Sequence, residues 1–320
     1  MESPHAMTKP IRLAVIGMGK IACDQHLPSI AGTQKFELVA TVSRDGKPSV
    51  DGVQCVRSIE ELADSGIGID AVSICTPPQV RHDIAQFAIE QGWHTMLEKP
   101  PGATLAEVIA LRDAAKAAGV TLFATWHSRY AAMVEPARAW LRGREIRRAK
   151  ITWREDVRVW HPGQEWIWQP GGFGVFDPGI NALSIITRIL PEPLFVTKSQ
   201  LFFPGNQAAP IAAEVSMRDR KGVPVEMDLD FRQEGPQHWD IDVETDAGTL
   251  SLSHGGAKLS IAGVENRSEE NAMEGEYPGL YKRFAALVWA SVSDVDVSPL
   301  RLVADAFLCG RITMVEDFIE

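Results

Sequence analysis

The chain has 320 residues, 45% of them hydrophobic and 23% charged, with a formal net charge of -10. That length exceeds one ordinary core and suits two domains, and the balance is that of a globular protein able to fill both. The acidity, and the lack of any long Lys/Arg run, exclude affinity built on phosphate neutralisation, so no nucleic-acid partner is expected.

From Ile11 to about His127 short apolar runs alternate with amphipathic stretches. IRLAVIG reads as a buried strand, KIACDQHLPSIAG as a helix and FELVATVS as a second strand. A weak strand near Val53–Val56 leads to the short helix SIEELAD. IDAVSICT is a strand stopped by Pro77-Pro78, followed by a helix from Val80 to Gln91; HTMLEK is a strand stopped by Pro100-Pro101. An Ala-rich helix, Leu105–Ala118, precedes the strand VTLFATWH. Apolar strands alternating with helices predict a doubly wound parallel sheet, an α/β Rossmann domain over residues 1–128.

The pattern then changes. A helix over Ala131–Leu141, the alternating EIRRAKITWREDVRVW, a Gly/Pro/Trp loop and the helix DPGINALSIITRIL come first. LFVTKSQLFFP, IAAEVSMRD, VPVEMDLDFRQ, HWDIDVETDAG and TLSLSHGGAKLSIAG follow with period-two alternation. Residues 129–320 therefore read as an α+β domain with an open, mainly antiparallel sheet. His254-Gly255-Gly256 reads as a hairpin turn. Two amphipathic helices, Tyr277–Ser291 and Ser298–Phe318, are expected to close the chain by packing on this sheet or on the first domain.

Gly17-Met18-Gly19-Lys20-Ile21-Ala22 is G-x-G-x-x-A between a strand and a helix. The first Gly permits the tight turn, the second lets a pyrophosphate approach the backbone, and Ala22 lets the helix pack closely; the helix start then offers unpaired N–H groups to the phosphates. At the end of the second strand stand Ser43 and Arg44, a hydroxyl and a guanidinium suited to a ribose 2′-phosphate, with Asp45 beside them. NADP is the expected cofactor, with NAD also accepted. Ligands of such sheets bind beyond the carboxyl ends of the strands. Cys75, Thr76 and Pro77 at one strand end, and Glu98 and Lys99 at the next, are therefore expected along the nicotinamide path. Lys99 can hold a substrate oxygen as hydride leaves its carbon.

No Cys pair has CxxC spacing among Cys23, Cys55, Cys75 and Cys309, so no zinc knuckle or redox motif is expected, and Cys75 reads as a small core residue. The start MESPHAMTKP has no apolar stretch and no later run reaches the ~20 residues that span a bilayer, so a cytoplasmic, membrane-free protein is expected. Glu155, Asp156 and His161 lack a second nearby His, so no metal is expected. His26 reads as a helix-face residue.

The fingerprint, CTPP and EKP in this order, followed by a sheet domain, resemble the glucose–fructose oxidoreductase / inositol dehydrogenase family, from about Lys9 onward. EKPPGATLAEV, LFATWHSR, EDVRVWHPGQEWIW and GVFDPGINALSIITRILP are similar to bacterial members that oxidise L-arabinose and D-galactose at C1. The resemblance implies an NAD(P)-dependent aldose 1-dehydrogenase giving the lactone, in which Lys99, Glu155, His161, Asp177 and Asn181 face the sugar. Many relatives that oxidise a secondary alcohol carry Asp-x-x-x-His on a helix; here the segment is Asp177-Pro178-Gly179-Ile180-Asn181, and Asn cannot take a proton. An anomeric hydroxyl is more acidic and needs a weaker base. Lys99 is thus assigned to the anomeric oxygen, Asp177 to accepting its proton or holding Lys99, and Asn181 to orienting the sugar. Of Trp126, Trp160, Trp166 and Trp168, at most one is expected to stack on the ring, and Trp160 is the candidate. The alternatives are a non-catalytic dinucleotide- and sugar-binding sensor, a dehydrogenase for another sugar or polyol, and an enzyme that couples two sugars through a retained cofactor. A homo-oligomer through the open sheet is expected by analogy only.

Overall fold

The computed structural model describes residues 9–47, 50–267 and 272–319. The chain forms two compact units. Of the described residues, one takes those within Met1–Pro101, Val108–Thr125 and Tyr277–Val295; the other takes those within Gly102–Glu107, Trp126–Glu276 and Asp296–Glu320.

The first unit holds a six-stranded parallel sheet: β1 (Ile11–Ile16), β2 (Phe36–Val42), β3 (Gln54–Val56), β4 (Ala71–Ile74), β5 (His94–Leu97) and β6 (Leu122–Ala124), in the order β3-β2-β1-β4-β5-β6. Strands β1, β4, β5 and β6 are buried along nearly their whole length, as expected for a sheet covered on both faces. Ala14, Ile16, Val72, Ile74 and Leu97 meet Leu62, Ala85, Ile89 and Leu111 of the crossover helices in one core. The order reverses between β1 and β4, the switch point of a doubly wound sheet. Backbone bonds from Cys75 N to Ile16 O (2.8 Å) and from Glu98 N to Ile74 O (3.1 Å) bring three neighbouring strand ends level there.

Tyr277, Tyr281 and Phe284 come from the helix Ala272–Ala290 and are fully buried in this unit, spaced at i, i+4 and i+7. Phe284 stacks on Phe36 and Phe123, and Tyr281 meets Phe36 edge-on at 5.4 Å. An element from the end of the sequence thus completes the core of the N-terminal unit.

The second unit holds a nine-stranded mixed sheet: β7 (Ile146–Arg154), β8 (Leu194–Pro204), β9 (Ala212–Asp219), β10 (Pro224–Asp230), β11 (His238–Thr245), β12 (Gly248–Ser253), β13 (Lys258–Ile261), β14 (Val264–Arg267) and β15 (Gly310–Val315). Its order is β14-β13-β12-β11-β7-β10-β9-β8-β15, antiparallel except where β10 meets β7 and β15 meets β8. The expected helix Ser298–Phe318 is corrected: it stops at Leu308, and Gly310–Val315 becomes the edge strand β15. The segment GRITMV is rich in β-branched residues, and the free edge of β8 offers six register partners, from Ser199 to Pro204. His254–Gly256 forms the turn joining β12 to β13. No helix among the described residues is long and apolar enough to cross a membrane.

Candidate active site

In the first unit, β1 runs into Gly17 at φ +91°, where a Cβ would sit 3.0 Å from the Thr76 backbone N, so only glycine fits. A Cβ on Gly19 would meet nothing within 4 Å. That open space lies before a helix made of a π-helical stretch, Ala22–His26, continued by Leu27–Ala31. Ala22 is buried, while Gly17 to Ile21, Met18 and Lys20 among them, are half-buried or exposed. A tight turn, room at the second glycine and a helix start fit a pyrophosphate. These residues, with the strand ends of β4 and β5, would hold the dinucleotide.

At the end of β2, Ser43 Oγ donates to Asp45 Oδ1 at 2.6 Å, and Lys47 N donates to the same oxygen at 3.1 Å. The Ser43 bond first, then Lys47, holds the Asp45 carboxyl below its ordinary pKa. Asp45 is thereby turned toward its own loop, and Arg44 is exposed. A second guanidinium, unnoticed in the sequence, lies here: a Cβ on Gly46 would meet Arg57 Nε at 3.1 Å.

Cys75 and Thr76 are half-buried and Pro77 is exposed at the end of β4. Cys75 departs from the core role expected of it. With Ser73 it borders a buried polar group built on His26, a helix residue whose side chain is fully buried. His26 Nδ1 meets Tyr281 Oη at 2.8 Å and Ser73 Oγ at 3.2 Å, and His26 Nε2 meets Glu98 Oε1 at 3.2 Å. Burial opposes its charge, but Cys75, Tyr281 and Glu98 outweigh it and raise the His26 pKa well above the ordinary value. Tyr277 Oη donates to Glu98 Oε1 at 2.7 Å.

Glu98 is 4% exposed, so its carboxylate is turned into the protein, and any cofactor contact it makes must run through its backbone. Lys99 follows, half-buried, and precedes a cis bond to Pro100. Arg81, 2% exposed, donates to the carbonyl oxygens of Thr76, Glu98 and Pro100. It opens the helix Arg81–Glu90, where the macrodipole disfavours a cation; that mismatch was the legible sign of a tertiary role.

In the second unit, Ala149, Ile151, Trp153 and Glu155 share the buried face at the end of β7, so a carboxylate ends an apolar stripe. Glu155 N bonds Asp230 O (2.9 Å) and Val157 N bonds Phe231 O (3.0 Å), tying this end to that of β10. Asp156 caps the one-turn helix Val157–Trp160 through Arg158 N, which returns His161 over Glu155. His161 Nε2 donates to Glu155 Oε1 at 2.8 Å, and Trp239 Nε1 donates to Glu155 Oε2 at 2.7 Å. His161 Nδ1 lies 3.8 Å from Asp177 Oδ2 and 3.5 Å from Gln164 Oε1.

Asp177 is buried in the first turn of the helix Phe176–Ile189, with Asn181 one turn on and half-buried. The helix approaches β10 so closely at Gly179 that a Cβ would sit 2.7 Å from Leu229 Cδ1. The structure therefore gathers Glu155, His161 and Asp177 into one row, and adds Trp239 and Gln164, which sequence reasoning missed. Alternation could have found Trp239, since it shares the face of Ile241 and Val243 and pairs with Trp153.

Trp160 is 40% exposed and meets Trp239 edge-on at 4.8 Å. Trp126 and Trp168 are core residues; Trp126 Nε1 donates to Asp296 O, and Trp168 packs on Phe231 and Phe318. Trp166 is half-buried in the 3-10 turn Glu165–Trp168. No group of three or more His, Cys, Asp and Glu residues is arranged to hold a metal ion among the described residues.

A switch-point glycine turn, a lysine two strands further along the sheet and a mixed-sheet unit after it are the build of a nicotinamide-dependent oxidoreductase. Residues 11–125 match the family model described as "Oxidoreductase family, NAD-binding Rossmann fold" (GFO/IDH/MocA). The chain is 46% identical over 314 residues to a galactose 1-dehydrogenase of Pseudomonas fluorescens, covering 98% of this chain and 100% of that one. The chain belongs to the GFO/IDH/MocA oxidoreductase family, and its cofactor is a nicotinamide dinucleotide. The crystal structure of a D-galactose-1-dehydrogenase from Rhizobium etli superposes with a TM-score of 0.92 at 54% identity, over 98% of this chain and 99% of that one. KijD10, a 3-ketoreductase from Actinomadura kijaniata in complex with NADP, shares the fold at 18% identity and a TM-score of 0.80, over 96% and 99% of the two chains.

Proposed function

We propose that the chain is an aldose 1-dehydrogenase that oxidises D-galactose and L-arabinose at C1 to the aldonolactone, preferring NADP and also accepting NAD. The observation that carries this reading is the buried row Glu155–His161–Asp177, with Asn181 on the same helix as Asp177, in a chain 46% identical to a galactose 1-dehydrogenase. The bound nicotinamide supplies the hydride acceptor for the hydrogen on C1. In the first unit, the Lys99 ammonium holds the C1 oxygen and stabilises the negative charge it gains. In the second unit, the Asp177 carboxylate is the group that accepts the C1 hydroxyl proton. Asn181, which cannot serve as a base, orients the ring; its presence suits a C1 hydroxyl, more acidic than an ordinary alcohol. Glu155 is 3% exposed and supports His161, while His161 and Asn181, both half-buried, read ring hydroxyls. Trp160 offers an apolar face to the sugar C–H edge.

L-arabinose and D-galactose place their ring hydroxyls alike, and galactose adds only a hydroxymethyl group. D-glucose and D-xylose each invert the hydroxyl at C4. Inversion leaves a buried partner unpaired, which discriminates strongly, whereas an extra carbon in a roomy pocket matters less. The test is the absorbance of reduced nicotinamide with NADP and NAD against these four sugars. A preference for glucose over galactose, or xylose over L-arabinose, would overturn the substrate assignment. Tight binding of dinucleotide and sugar with no turnover of any aldose would make the chain a sensor.

A further inference from the structure

The peptide that carries Lys99 is held from both sides by groups that hydride transfer does not use. Its N–H donates to Glu98 Oε2 at 2.5 Å. The other oxygen of Glu98 accepts from Tyr277 Oη at 2.7 Å and meets His26 Nε2 at 3.2 Å. Arg81 donates to the carbonyl oxygens of Glu98 and Pro100, the residues flanking Lys99. Glu98 and Arg81 are 4% and 2% exposed. Burying a carboxylate and a guanidinium is costly unless each is closely paired, and an apolar pair would fill the same volume with less penalty. What these two groups add is direction: each fixes a peptide group beside Lys99. His26 lies on the helix that follows the Gly17–Ala22 turn, and Tyr277 on the helix Ala272–Ala290. The Lys99 turn is thus braced, through Glu98, by two elements distant from it in sequence.

We propose that Arg81, Glu98 and Tyr277 are positioning residues that fix the Lys99 turn, with the Tyr277 hydroxyl orienting the Glu98 carboxylate that holds the Lys99 amide. Its consequence for turnover rests on the catalytic role proposed for Lys99; the brace itself does not. Tyr281 is the comparison, because its hydroxyl on the same helix meets His26 and Ser73 and reaches Glu98 only through His26.

The test compares Tyr277→Phe, Glu98→Gln and Tyr281→Phe in the full chain with NADP bound. Three quantities are read: exchange of the Lys99 amide proton by NMR, kcat on D-galactose, and the Kd of NADPH by fluorescence. In Tyr277→Phe the amide should exchange at least ~10-fold faster, because its acceptor has lost a partner. Its kcat should fall ~10–100-fold, the scale of a misplaced catalytic group, with the NADPH Kd unchanged. Tyr281→Phe should leave exchange and kcat near wild type, whatever its effect on Tm. If Tyr277→Phe does not fold, Glu98→Gln carries the same measurements, with a smaller loss than Glu98→Ala. Unchanged exchange at Lys99, or a Tyr281→Phe that matches Tyr277→Phe, overturns the inference. Faster exchange with full kcat supports the brace and refutes the catalytic role of Lys99.

Discussion

Replacing Glu155 by leucine removes the one acceptor shared by two donors. Trp239 Nε1 gives its hydrogen to Oε2 at 2.7 Å, and His161 Nε2 gives its hydrogen to Oε1 at 2.8 Å. Glu155 is 3% exposed, so water cannot readily take its place. Each donor left unsatisfied costs about 1–3 kcal/mol, and bonds to a charged acceptor lie in the upper part of that range. His161 keeps some access to solvent, with its side chain 14% exposed, which lowers its share. The predicted loss is therefore about 3–4 kcal/mol, or roughly 6–15 °C in Tm for a unit of this size. Glu155→Gln behaves differently. The amide oxygen still accepts from Trp239, and its NH2 group can donate to His161 Nε2 once the imidazole shifts its proton to Nδ1, beside Asp177. Gln should thus recover about half of the stability, yet leave kcat/KM for galactose depressed, because the imidazole now offers its Nδ1–H to Asp177. Thermal unfolding followed by circular dichroism, with sugar kinetics on the same samples, reads both effects. A leucine variant as stable as wild type, or a glutamine variant as unstable as the leucine one, would refute the reasoning.

Lys99→Ala should lower kcat by at least ~10²–10³-fold, the usual cost of a lost transition-state donor, while NADPH titration shows nearly intact affinity; wild-type kcat would remove Lys99 from the mechanism. Arg44→Ala should raise KM for NADP far more than for NAD, since only NADP carries the 2′-phosphate; equal changes would show that Arg44 does not read it. Burial raises the Asp296 pKa, but Arg129 at 2.6 Å and Ser298 outweigh it and hold the carboxyl below its ordinary value. A lowered folded pKa gives stability that is complete above the unfolded value of about 4 and is lost as pH falls through the folded value. The stability gap between wild type and Asp296→Asn should accordingly be present at pH 7 and close below pH ~4; a gap that widens in acid would contradict the sign.

The sequence by itself determined what depends on local pattern. Apolar runs and proline stops marked the strands of the first sheet, period-two alternation marked β7 to β13 of the second, and G-x-G-x-x-A between a strand and a helix marked the glycine turn, because a positive φ at Gly17 and space at Gly19 are needs that a short motif can express. The family resemblance, and not the local pattern, pointed to Glu155, His161, Asp177 and Asn181, and it could not join them; the row exists because β7 and the helix Phe176–Ile189 pack in one unit. Only tertiary structure decided the fate of the segments whose local signals were ambiguous or silent. GRITMV could extend a helix or form a strand, and the open edge of β8 settled it. Tyr277 and Tyr281 looked like ordinary positions on an amphipathic helix, yet their hydroxyls meet Glu98 and His26 across sequence separations of 179 and 255 residues. Arg81 could be seen as misplaced against its helix dipole, but the three carbonyls it holds belong to the ends of two other strands. A buried polar group is defined by its partners, and when those arrive from distant parts of the chain no local pattern records them.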